Sequence, residues 1–234
     1  MQPDFFAGLK APVNFFIVRH GQSEGNVAKI LQGREEYPLS EEGRRQAAIR
    51  GQALKAVLSG KLPCFSSPQA RAKETAQIIS EQIFPNGVDD VTFLDELVEM
   101  SLGIWTGKVW EDVRTEDPDL WSAFMARSWD AVPKAESSRD MYDRSLRVWT
   151  ALRDAAIESG ADNVLVITHG GLIQWLFKTT FQCRLWFPLF PISNCGQSKL
   201  CVKPNMSEKN AYMCWEEIDA PLPNQNAQPL GFPC

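Results

Sequence analysis

Two histidines are all that this chain of 234 residues contains, and both stand in the same kind of place. His20 lies in IVRHGQSEGN, where an apolar run breaks into Arg19-His20-Gly21. His169 lies in VLVITHGG, where a second apolar run breaks into Thr168-His169-Gly170-Gly171. A third apolar stretch, LPCF, ends in Ser66-Ser67-Pro68 with Arg71 one helical turn on, and a fourth, near 94–98, is followed by Glu99. Taken singly, a histidine of this kind reads as a hydrogen-bonded structural residue, and the arginine and glutamate as solvated ones. Two histidines in equivalent strand-to-glycine turns weaken that reading, because glycine lets a backbone turn sharply and approach a ligand closely. Together the residues make one chemistry. Two guanidiniums offer planar, bidentate donors matched to phosphate or carboxylate. Neighbouring positive charge depresses an imidazole pKa and keeps the ring neutral and nucleophilic. A carboxyl group kept protonated by partial burial supplies a proton to a leaving alcohol. Such a set suits phosphoryl transfer through a phosphohistidine. The arginines, the second imidazole and helix N-termini would then carry the charge that Mg²⁺ carries in kinases.

These residues meet only if the chain folds in a particular way. NFFIV at 14–18 and NVLVI at 163–167 are short unbroken apolar runs, as in strands buried on both faces. Between them the spacing predicts helices. Ser40 followed by Glu41 and Glu42 opens one, with Ala47, Gly51, Leu54 and Leu58 on a single face. A second covers 68–83 with Ala72, Ala76, Ile79 and Ile83, and a third covers 138–158 with Met141, Ser145, Val148, Leu152 and Ala155. Strands alternating with helices imply βαβ units and a mainly parallel sheet. Ligands bind beyond the carboxyl ends of such strands, where the polar signatures lie. The expected fold is α/β, three layers with a mainly parallel central sheet and a small helical cap at about 105–137. Four tryptophans in that cap (Trp105, Trp110, Trp121, Trp129) read first as its core. Residues 1–217 are expected to form one domain. The Pro-, Asn- and Gln-rich tail from 218 to 234 is expected to be loosely packed or disordered.

Composition narrows the function. The net charge of −5 gives no basic field for nucleic acid or an anionic membrane, while 44% hydrophobic and 23% charged residues suit a globular core. No stretch approaches 18 uninterrupted apolar residues and no secretory signal opens the chain, so no membrane span and a cytoplasmic location are expected. The 6 cysteines form no CxxC pair and read as reduced thiols. Two histidines without an acid-rich cluster are too few for a usual catalytic metal site, so no metal is expected.

Five blocks in order resemble one family: IVRHGQSEGN, LQGREEYPLSEEGRRQA, SSPQARAKETA, LVEMSLGIWTG and THGG. From about Phe15 to Leu200 the chain resembles the histidine phosphatase superfamily, in the branch related to the cofactor-dependent phosphoglycerate mutases. The resemblance implies that His20 is the phosphorylated nucleophile, with a backbone carbonyl holding its Nδ1–H. It also implies that Arg19 and Arg71 clamp phosphate, that His169 donates to the transferring group and that Glu99 is the proton donor. Asn26 matches a phosphate-contacting asparagine. Ser23, Gln32 and Gly33 fall where relatives touch substrate, and Gly170 falls beside the phosphate. No cofactor is implied. The expected partner is a small phosphorylated substrate, on a monomer or homodimer.

Within that family, the 70 residues between Glu99 and His169 (169 − 99) resemble the phosphatase members more than the mutases. Met100, Ser101 and Leu102 stand where the mutase pattern has an Arg-His-Tyr run. Pro133-Lys134-Ala135-Glu136-Ser137 is an altered form of the phosphatase Pro-Gly-Gly-Glu-Ser loop. The reading is a metal-independent phosphomonoesterase. Its alternatives are a phosphoglycerate mutase or bisphosphatase, primed by 2,3-bisphosphoglycerate, and a non-catalytic phosphate-binding module. Lys108, Arg114, Lys134 and Arg139 are candidates for a second anionic group, with a solvated surface role the simpler reading of each.

Overall fold

Strand β1 (Val13–Arg19) sends alternate side chains into two apolar layers, Phe15 and Ile17 into one and Phe16 and Val18 into the other. Strand β4 (Asn163–Thr168) divides in the same way, with Val164 and Val166 on the first side and Leu165 and Ile167 on the second. A strand covered on both faces has no polar side to alternate, which is why both read as unbroken apolar runs. The computed structural model describes all residues except 3, 59, 85, 87–89 and 224–234.

The remaining strands are β2 (Cys64–Ser66), β3 (Val91–Phe93), β5 (Gln197–Asn205) and β6 (Asn210–Ala220), in the order β3-β2-β4-β1-β5-β6. β3, β2, β4 and β1 run parallel, and β5 and β6 return antiparallel. Helices α2 (Glu41–Lys55) and α3 (Ala70–Ile83) cover one face through Leu54, Ala72, Ala76 and Ile79. Helices α6 (Ser138–Ser159) and α7 (Gly170–Thr180) cover the other through Trp149, Leu152, Ile173 and Trp175. Each buried leucine or isoleucine among these contributes about 1.5–3 kcal/mol. This is the expected three-layer arrangement. Short helix α1 (Glu24–Val27) follows the first histidine turn.

Helices α4 (Trp110–Glu116) and α5 (Pro118–Arg127) form the expected cap. Trp105 and Trp129 are buried, with Phe124 between them at ring distances of 5.0 and 5.1 Å. Their cluster is continuous with the α6–α7 face of the sheet. These two tryptophans are cap core, and Trp110 and Trp121 pack against it.

Three expectations shift. The strand read near 94–98 lies at Val91–Phe93, and Asp95–Leu97 turns instead into a 3-10 helix. Leu58 lies beyond the end of α2, although it still packs into the same cluster. The tail boundary at 218 falls inside a strand: β6 continues to Ala220, and Leu222 packs on Ala47 and Cys195. Residues 224–234, the rest of that tail, lie outside the described residues.

Candidate active site

Strand register brings the two histidines together. β1 pairs β4 with Arg19 opposite Thr168, and β2 pairs β4 with Ser66 opposite Ile167. His20, His169 and Ser67 are each the next residue, so they leave three adjacent strands at one edge. His20 N–H donates to Thr168 O at 2.9 Å and Ser67 N–H to Ile167 O at 3.0 Å. The two imidazole centroids are 5.1 Å apart.

Each ring has a defined hydrogen-bond role. His20 Nδ1 faces Gly21 O at 2.7 Å. A carbonyl only accepts, so Nδ1 carries the proton and Nε2 keeps its lone pair. Arg71 Nε donates to that Nε2 at 3.3 Å. His169 Nε2 pairs with Ser67 Oγ at 2.8 Å. Burial first, then the Arg71 and Arg19 charges, hold His20 well below its ordinary pKa of 6.5. Burial and Arg71 do the same to His169. Both rings are therefore neutral at pH 7.

The arginines are aimed by backbone carbonyls. Arg71 Nη1 and Nη2 donate to Glu35 O at 2.9 Å and Gly33 O at 2.8 Å. Gly33 has φ +49°, a left-handed turn that presents this carbonyl. Arg19 Nη1 donates to Ile192 O at 2.6 Å. Two buried atoms at this edge, Arg19 Nε and His169 Nδ1, have no hydrogen-bond partner in the described chain. Buried polar atoms without partners are uncommon, and these two lie side by side with the Gly170 helix end. Burial lowers the pKa of both guanidiniums, and the Glu99 carboxylate is the largest opposing influence on each.

Glu99 sits against the start of α7. Its Oε1 accepts from Met100 N–H at 2.9 Å and its Oε2 from Gly171 N–H at 3.2 Å. A Cβ on Gly171 would stand 2.5 Å from Oε1, so the carboxyl approaches because that residue is glycine. A Cβ on Gly170 would stand 3.5 Å from Arg19 Nε. His169, Gly170, Arg19 and Glu99 thus share one helix end.

The loop after His20 supports the site more than it lines it. Ser23, fully buried, caps α1 by accepting from Asn26 N–H and donates to Gln32 Oε1 at 2.8 Å. Its hydroxyl joins the α1 cap to Gln32 within the loop. Gln32 is likewise buried. Asn26 Oδ1 accepts from Ser23 N–H and from Asn194 Nδ2.

Several side chains at the site were given no role from the sequence. Ser67 pairs with His169, and Gln69 bridges Glu99 N–H at 2.6 Å to Gly33 O at 3.3 Å. Asn194 Nδ2 donates to His20 O at 3.2 Å. Asp219 holds the neighbouring Ser193, and Arg50 donates to Cys195 O, which fixes that loop. Arg34 Nε donates to Glu99 O, and its Nη2 reaches Glu136, which Arg144 grips bidentately. Of the cap cations, Lys108 is paired with Glu116, and the Arg139 side chain is 85% exposed beside Asp143.

The neutral rings set a pH dependence of stability. Both folded pKa values lie below 6.5 and return to about 6.5 on unfolding. Below pH 6.5 the unfolded chain binds more protons, so stability is lost as pH drops through that window and is flat just above it. The slope is up to about 1.4 kcal/mol per pH unit for each histidine. Chemical denaturation between pH 7.5 and 5.5, in buffer free of oxyanions, measures it. His169→Gln should halve the slope, and a flat wild-type profile would refute buried neutral rings.

Residues 15–213 match the family described as histidine phosphatase superfamily (branch 1). A metal-independent phosphoserine phosphatase of Arabidopsis thaliana is 31% identical over 172 residues, covering 71% of this chain and 68% of the relative. Phosphoglycerate mutase-like protein 4 of the same plant is 32% identical over 165 residues, covering 69% and 68%. Among solved structures, mycobacterial glucosyl-3-phosphoglycerate phosphatase shares the fold with a TM-score of 0.73 at 24% identity, covering 90% of this chain and 100% of that one.

Proposed function

Because this chain belongs to the histidine phosphatase superfamily, as an enzyme of its phosphatase type, we propose that it hydrolyses small phosphomonoesters without a metal, through a phosphohistidine at His20. The observation that carries this reading is the pair of buried neutral imidazoles between two arginines. His20 Nε2 holds a lone pair, and Arg19 Nε and His169 Nδ1 are buried without partners. Those are a nucleophile and two donors for phosphoryl oxygens.

In the first half-reaction His20 Nε2 attacks phosphorus, and the bond to the ester oxygen breaks. Glu99, entering this step as the carboxylic acid, gives its proton to the leaving alkoxide. As His20 gains positive character, Gly21 O holds its Nδ1–H, and the arginines bear the phosphoryl charge. In the second half-reaction water attacks phosphorus, Glu99 takes its proton, and the P–N bond breaks to return neutral His20 and phosphate. Metal independence is supported by a donor set of imidazole and guanidinium, and by the name of the plant phosphoserine phosphatase. Met100 and Leu102 are buried apolar side chains where the mutase pattern carries basic and aromatic ones, which supports hydrolysis over mutase transfer.

The test is steady-state phosphate release from a panel of phosphomonoesters in excess EDTA. The same panel assigns the acid. Glu99→Gln should lower kcat on alkyl phosphates about 10²–10⁴-fold and on p-nitrophenyl phosphate far less, because nitrophenolate leaves without a proton. Equal losses on both classes would remove Glu99 from that role.

A further inference from the structure

β5 and β6 form an antiparallel ladder in which Cys201 stands directly opposite Cys214. Opposed residues share one face of a sheet. Here the face is fixed by neighbours. Lys199, two residues before Cys201, meets Glu216, two residues after Cys214, at 2.7 Å, and its ammonium lies over the Phe16 ring. The adjacent rung, Leu200 opposite Trp215, points the other way into the main core. Directly opposed Cα atoms in such a ladder are about 4.5–5.5 Å apart, inside the roughly 4.4–6.8 Å that a disulfide spans. Both thiols are free; Cys201 is buried and Cys214 half-buried. The ladders set no other described cysteines opposite each other. Cys64 and Cys195 are sealed in apolar clusters, where burial pushes the Cys195 thiol up to about 12.

We propose that Cys201 and Cys214 are a cross-strand dithiol that closes to a disulfide by exchange with a small-molecule disulfide. The Cys214 thiolate, the more accessible, attacks one sulfur of the small disulfide. That S–S bond breaks, one small thiolate leaves, and a mixed disulfide stands on Cys214. Cys201 then loses its proton to water and attacks the Cys214 sulfur, and the second small thiolate leaves. Two protein thiols give up two electrons and two protons, and the small disulfide becomes two thiols. Burial and the adjacent Glu216 raise the Cys201 pKa against the opposing charges of Lys203 and Lys199, so this resolving step accelerates with pH. Cys201 pairs across to Asn14, at the opposite end of β1 from His20. Closure therefore staples the hairpin and leaves turnover unchanged.

The experiment incubates the full chain with oxidised glutathione, alkylates the remaining thiols and maps the peptides by mass. The expected product is one disulfide linking the Cys201 and Cys214 peptides, reversed by dithiothreitol, with phosphatase activity within twofold of the reduced enzyme. C201S should stop at a glutathione adduct on Cys214, and C214S should leave Cys201 alkylatable. A lasting glutathione adduct on Cys214 in the wild type, a link between other cysteines, or two thiols that stay alkylatable would each overturn the proposal. Circular dichroism of both serine variants separates these outcomes from misfolding.

Discussion

His20→Ala removes turnover: phosphate release falls by on the order of 10⁴-fold or more, and no phosphoenzyme forms. The size follows from what leaves. The variant loses the atom that bonds to phosphorus, so the reaction loses its intermediate and not merely a stabilising contact. Neither neighbour replaces it. His169 Nε2 is committed to Ser67 Oγ, and the arginines have no lone pair to offer. The fold should survive, because the strand edge is pinned by backbone bonds such as His20 N–H to Thr168 O, which alanine keeps. Circular dichroism and phosphate release on one preparation check both halves. Activity near that of the wild type would remove His20 from the chemistry.

Arg71→Lys should lower kcat/KM about 10²–10³-fold and weaken vanadate inhibition in parallel. Lysine keeps the charge but not the planar fork that holds Gly33 O, Glu35 O and His20 Nε2 at once. Arg71→Met separates charge from geometry. The Arg71 charge helps hold His20 below its ordinary pKa, so its loss lets that pKa rise. The acid limb of the pH–rate profile should move to higher pH in the methionine variant and stay near the wild-type position in the lysine one. An Arg71→Lys enzyme within a fewfold of wild type, with unchanged vanadate affinity, would move the phosphate clamp elsewhere.

The parts of the site that were legible in the sequence sit where local pattern and tertiary position coincide. Arg19-His20-Gly21 and Thr168-His169-Gly170 end strands buried on both faces, and an unbroken apolar run announces such a strand and its edge. The β5–β6 hairpin was missed because it is covered on one face only. Leu200, Val202, Met213 and Trp215 face the main core, while Lys199, Cys201, Cys214 and Glu216 lie on the opposite, more polar face. That alternation, interrupted by Pro204 and an acidic pair, forms no unbroken apolar run. β3 is three residues long and turns at once into a 3-10 helix, too short for periodicity to locate. The roles of Ser67, Gln69 and Asn194 were illegible for another reason. Each is an ordinary polar residue whose partner lies far along the chain, such as Ser67 with His169 and Asn194 with His20. Only the strand register creates those pairs.

The central claim is a covalent phosphohistidine formed without metal, and trapping it is the most direct test. A phosphate-labelled monoester is mixed with excess enzyme in EDTA, quenched in base, where a P–N bond survives, and mapped by peptide. The account predicts label on the His20 peptide within a single turnover, lost again as phosphate appears, and absent from His20→Ala. Turnover in EDTA with no labelled peptide, label on another residue, or turnover that needs an added metal ion would contradict it.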